Sequence, residues 1–157
     1  MKKKISFVYD LTDEYRIIGI CSHLKEYKFC WYLNKVLNCN LVKKEDFSFA
    51  GRNPVPANFS IYYYNDQNQR NQIFLLANKS DNAVLLEKVP EADLLLVIKG
   101  LFPDNKTEEL ISSLKKISNV LTVFSVDMAR IKEINTFLTE VELQQMKFEE
   151  KPKKIRR

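Results

Sequence analysis

The chain has 157 residues, 45% of them hydrophobic and 29% charged, with a formal charge of +5 and only three glycines. At this length folding buries about 70% of the surface the unfolded chain exposes, so a core forms without disulfide or metal staples. The ordinary apolar content and small net charge exclude a disordered chain, and the composition is neither collagenous nor low-complexity.

The elements follow in chain order. Residues 5–9 are β-branched and aromatic and read as a first strand. Residues 10–14 are acidic and turn-like, and residues 15–21 read as a second strand in which Gly19 marks a bulge or a close backbone approach. The period then changes. Leu24, Tyr27, Cys30/Trp31, Asn34 and Leu37 recur at three and four, which predicts an amphipathic helix over 23–38 with Trp31 as its core anchor. Ser22 reads as its N-cap, and Asn38 and Asn40 suit a left-handed exit.

The middle of the chain is β-rich. Residues 41–49 alternate poorly but end Phe-Ser-Phe, and Pro54 and Pro56 place 51–58 in a loop. Residues 59–64 predict a strand and 73–77 its hairpin return across the turn residues 65–69. A second turn at 78–82 leads into 83–87, which completes a three-stranded meander. Tyr62, Tyr63 and Tyr64 read as core or cross-strand packing, because no basic residues interleave them as a base-stacking sheet requires.

The last third reads β-α-β-α. Residues 94–99 are apolar enough for a central strand buried on both faces. After a loop over 100–106, Asn105 and Glu108 have capping-box spacing, and Leu110, Ile111, Leu114 and Ile117 form a helical stripe. Residues 120–126 predict a last strand. Asp127 opens a helix carrying Ile131, Ile134, Phe137 and Leu138 that fades towards Met146. The expected class is α+β: a single mixed, largely antiparallel sheet with about three helices packed on a face, in the order β-β-α, β-meander, β-α-β-α. One domain spans 1–146, and 147–157 form a loose basic tail.

Charge is unevenly placed. Residues 1–4 and 147–157 hold nine positive and two negative charges, whereas residues 5–146 hold 16 positive and 18 negative. Lys151, Lys153, Lys154, Arg156 and Arg157 could therefore grip an anion such as an RNA backbone, or simply keep the chain soluble. The three cysteines, Cys21, Cys30 and Cys39, are an odd count in a chain that needs no staples, which favours a reducing compartment. The apolar stretch behind the three N-terminal lysines is too short for a secretory leader, and no run spans a membrane, so cytoplasm is the expected location.

Standard chemistries fare poorly. Gly19, Gly51 and Gly100 are scattered, so no glycine-rich loop cradles a phosphate. Cys21, His23 and Cys30 are the sharpest metal or thiol-enzyme candidate, but the chain has a single histidine and no closely spaced cysteine pair. No serine sits in a nucleophile-elbow setting, and the paired carboxylates read as turn and cap residues. No cofactor, metal or catalytic residue is assigned.

Residues 17–35, Ile-Ile-Gly-Ile-Cys-Ser-His-Leu-Lys-Glu-Tyr-Lys-Phe-Cys-Trp-Tyr-Leu-Asn-Lys, resemble the start of a family of small Bacteroidota proteins. That family is named for an Ile-Pro-Glu-x-x-x-Val-Asp-Tyr signature (IPExxxVDY). The likeness continues in 59–62, 76–80 and 96–100 and covers most of 5–130. The signature's own positions fall on 86–94, where Asp93 is the clear match and the rest departs. The family carries no established activity, cofactor or catalytic residue, so the resemblance implies a compact cytoplasmic bacterial protein and transfers no site.

The reading that follows is a non-enzymatic cytoplasmic binding protein that contacts another protein, with a second copy of the chain as one admissible partner. Its expected contact surfaces are the open meander edge and the helix face around His23, Glu26 and Tyr27. The rivals are an RNA- or ribosome-associated protein using the basic tail, and a small enzyme or metal protein around Cys21, His23 and Cys30.

Overall fold

The structure is a computed structural model and describes residues 10–51, 54–81 and 83–150. The strand predicted over 5–9 lies outside the described residues. The described chain begins with a short 3-10 helix, Leu11–Glu14, followed by β1 (Tyr15–Ser22) and α1 (Glu26–Leu37). Next come β2 (Val42–Lys43), β3 (Phe47–Phe49), β4 (Ala57–Phe59), β5 (Ile61–Asp66), β6 (Asn71–Ala77), β7 (Lys79–Ser80) and β8 (Ala83–Val84). The last third is β9 (Leu94–Gly100), α2 (Asp104–Lys115), β10 (Val120–Ser125), a 3-10 turn at Met128–Arg130, and α3 (Ile134–Glu149).

Among the described residues, six strands form the main sheet in the order β10-β1-β9-β6-β5-β2. Each neighbouring pair is antiparallel. The fold is α+β, with three helices and a mainly antiparallel sheet, as the sequence predicts. The crossover strands β9 and β10 run parallel to each other but are not neighbours, because β1 lies between them and opposes both.

Alternation explains the layering. Along β9, Leu94, Leu96 and Ile98 enter one core, whereas Leu95 and Val97 enter the other. The first core packs Phe29, Cys30 and Leu33 of α1 and Leu110 and Leu114 of α2 onto the sheet. The second packs Ile134, Phe137, Leu138 and Val141 of α3 onto the opposite face. The helices therefore cover both faces, not one. With β9 and β6 buried on both sides, an unbroken apolar run is what a central strand requires.

The meander is where the chain departs most from expectation. Residues 59–64 are not one strand: the chain breaks at Ser60, so that β4 pairs β3 in a separate ribbon while β5 joins the main sheet. The 83–87 segment does not pair with β6. Only Ala83–Val84 is strand, and it closes a small ribbon with β7. β6 instead takes β9 as its second neighbour, because a strand buried on both faces needs a partner that is apolar on both.

Caps also differ. Ser22 belongs to β1, its hydroxyl accepting the Leu24 N–H at 2.9 Å and donating to the Asn119 carbonyl at 3.2 Å, and α1 starts after Lys25 without a side-chain cap. Asn38 does close α1 in the left-handed region at φ 54°. Asn105 lies inside the first turn of α2, which follows Pro103, so the capping box does not form. Asp127 caps the 3-10 turn before α3, accepting from the Ala129 N–H. α3 runs on to Glu149, past the predicted fade at Met146, so 147–149 are helix rather than tail. Among the described residues no helix is long and apolar enough to cross a membrane.

Candidate functional site

The end of the sheet where β1 and β6 finish and β9 begins faces the start of α1. Asp93 organises it. Its carboxylate accepts the Ser22 N–H at 2.8 Å and pairs with the Lys79 ammonium at 3.1 Å, while its backbone N–H donates to the Ile20 carbonyl. Those bonds fasten the β9 start to the β1 end. Around them lies an open cleft of about 440 Å³ lined by Ser22, Lys25, Glu26, Tyr27, Lys79 and Asp93. Glu26 and Lys79 also border a wider polar cleft of about 780 Å³ that reaches Asp46 and Asp81. Two of the three predicted contact residues, Glu26 and Tyr27, thus share one concave rim, and His23 is exposed two residues before the helix N-cap.

The outer face of α1 continues from that rim. Tyr27 is 66% exposed and Trp31, one helical turn further on, is 53% exposed. Trp31 is therefore not the core anchor; Phe29, Cys30 and Leu33 fill that role. The Lys35 ammonium stands 4.3 Å from the Trp31 ring centroid, and Tyr32 meets the same ring edge-on at 5.0 Å. Lys28 and Lys35 are exposed on the same helix and Lys25 at its N-cap, with Glu26 the helix's one acidic residue. The result is an aromatic pair framed by cations.

The thiols are unarmed. Cys21 donates from its Sγ to the Glu91 carbonyl at 2.9 Å, and burial, followed by the nearby Asp93 and Glu91 charges, raises its pKa. Cys30 packs in the helix-side core, where burial pushes it up to about 11. Burial likewise pushes Cys39 up to about 12. All three are neutral thiols at physiological pH, the opposite of what a thiolate nucleophile or metal ligand requires. Among the described residues, no group of three or more His, Cys, Asp and Glu side chains forms a metal-holding cluster.

The other predicted surfaces fare unequally. The meander edge is β2, a two-residue strand whose Lys43 pairs with Asp46 at 3.7 Å. A short, charged edge of this kind resists strand addition. Tyr62 and Tyr63 are buried on opposite faces of the sheet, as packing residues. Lys151, Lys153, Lys154, Arg156 and Arg157 lie outside the described residues.

The chain matches no family model and no curated protein.

Proposed function

We propose that this protein is a non-enzymatic binding module whose α1 outer face receives an acidic surface of a protein partner. The observation that carries the reading is the exposed Tyr27–Trp31 pair among Lys25, Lys28 and Lys35. Tryptophan and tyrosine each offer a large apolar area with a polar edge, the profile of residues that dominate interface energetics. The lysines steer an acidic partner and fix its register. The face runs the length of a 12-residue helix, about 18 Å, which suits a groove or a packed partner helix. The Bacteroidota resemblance and a cytoplasmic setting belong to the same proposal.

The test compares wild type with Trp31→Ala and with Tyr27→Ala/Trp31→Ala. A stoichiometric partner held by wild type should be lost about tenfold or more in affinity with Trp31→Ala and weaken as salt rises, while the melting temperature stays unchanged. The reading fails if the double variant holds the same partner as tightly, or if no stoichiometric partner exists. Retention of RNA instead, abolished by deleting 151–157, would replace it with the nucleic-acid reading.

A further inference from the structure

A further concave feature lies on the α3 side of the sheet, apart from the α1 face. The β3–β4 ribbon, the chain from β8 onward and the entry to α3 border a partly open pocket of about 180 Å³. Its interior is made by Phe49, Phe59, Leu85, Leu86, Ile131 and Phe137. Phe49 and Phe137 meet edge-to-face at 5.8 Å, which fixes one aromatic wall, and Phe59, Leu85, Leu86 and Phe137 are buried.

Four of the lining residues keep their backbone N–H groups engaged. The Leu85 N–H donates to the Asn78 carbonyl, the Leu86 N–H to Asn78 Oδ1, the Ile131 N–H to the Met128 carbonyl and the Phe137 N–H to the Glu133 carbonyl. Among the described lining residues, charge is confined to the exposed mouth, where Glu87 and Glu133 are matched by Lys88 and Lys132. These two charges of each sign balance, so those residues give no net preference for an ion. An ion drawn into the apolar interior would lose hydration without a partner.

We propose that this cavity is a binding site for a small neutral apolar molecule, about one aromatic ring in size. The volume sets the class. An apolar cavity of about 150 Å³ lined by leucine, isoleucine and phenylalanine takes up benzene, so a pocket of similar volume and lining matches a single ring. A drug-sized ligand needs roughly 300 Å³ or more and does not fit.

The experiment uses the full chain, methyl-labelled at leucine, valine and isoleucine, titrated with toluene, benzoate and benzylamine. Toluene should saturate with a Kd on the order of 1 mM, shift the Leu85, Leu86 and Ile131 methyls, and show ligand-to-methyl NOEs there. Benzoate and benzylamine should bind about tenfold more weakly or worse. Ala50→Phe, at a lining position outside any strand, fills the space and should abolish the toluene shifts. Three results would overturn the proposal: no saturable shift with toluene, shifts and NOEs spread over both faces of the sheet, or unchanged toluene affinity in folded Ala50→Phe. Equal affinity for benzoate would overturn the neutral class. The NOEs on wild type decide the location even if Ala50→Phe does not fold.

Discussion

Gly100 sits at φ +105°, and a Cβ there would lie 2.5 Å from the Arg70 carbonyl oxygen and 3.0 Å from the Asn71 Cα. Backbone on both counts cannot swing aside, so Gly100→Ala should cost about 3 kcal/mol in urea denaturation. Gly19 has an ordinary φ, and its added Cβ would meet the Phe124 ring at 2.6 Å. A half-buried ring can turn, so Gly19→Ala should cost about 1 kcal/mol. The sequence predicts a bulge or a close backbone approach at Gly19; instead the β1 irregularity falls at Cys21/Ser22, and what crowds Gly19 is the Phe124 side chain. Asn78 is more consequential than either. It is fully buried, donates to the Val89 and Ala92 carbonyls at 2.9 Å each, and accepts the Leu86 N–H at 2.9 Å. Those three bonds fold residues 85–92 back against the sheet and thereby shape one wall of the apolar cavity. Asn78→Ala would strand three buried groups and should lower stability by about 4 kcal/mol. Asn78→Asp should do no better, since a carboxylate would then face two carbonyls. In the sequence Asn78 looks like any turn asparagine, because nothing local reports that its side chain is buried.

At the scale of elements, α3 is held to the sheet by polar bonds as well as packing. Tyr15 donates its hydroxyl to Glu142 at 3.0 Å, and Lys99 pairs with the same carboxylate at 3.0 Å. One heptad further on, Glu149 accepts from the Tyr63 hydroxyl and from Asn65, while Phe148 packs on the Tyr63 ring at 5.3 Å. Ending the chain at Met146 removes that second anchor and should cost about 2 kcal/mol; ending it at Glu150 keeps the anchor and is the matched control. Denaturant midpoints for the two truncations check this, and equal midpoints would show the anchor to be idle. The apolar stripe thins at Met146, so the sequence predicts a fade there, while tertiary bonds extend the helix. The α1 phase misled for a related reason. That helix has apolar or aromatic residues on two sides, and periodicity alone does not choose between a stripe through Tyr27 and Trp31 and one through Phe29 and Leu33.

Across the whole molecule, burial of protonated groups links stability to alkaline pH. Tyr62 is pushed up to about 12 by burial, with Glu26 adding to it, while Cys30 rises to about 11 and Cys39 to about 12. Burial also raises Tyr15 and Tyr63, helped by their Glu142 and Glu149 neighbours. Each native pKa lies above the unfolded value, so the native chain keeps protons that the unfolded chain releases. Their contribution is complete below about pH 9 and is lost as pH climbs from there through about 12. The urea midpoint should therefore fall between about pH 8 and pH 11, and less steeply in Tyr62→Phe; a flat profile would contradict the assignment.

The class and most of the central elements are legible in the residues alone. The doubly apolar run at 94–98, the 73–77 return strand and the α2 stripe are each unambiguous, because a period of two or 3.6 and a run buried on both faces are properties of the segment alone. Long-range packing settles that β9 displaces the 83–87 segment as the neighbour of β6, that the helices divide between two faces, and that Trp31 points outward. Each of those is a competition between segments for the same buried surface, and its outcome depends on which neighbour is apolar on the matching side. Trp31's place on the α1 outer face and the apolar pocket are hidden for the same reason: both are what remains after that competition.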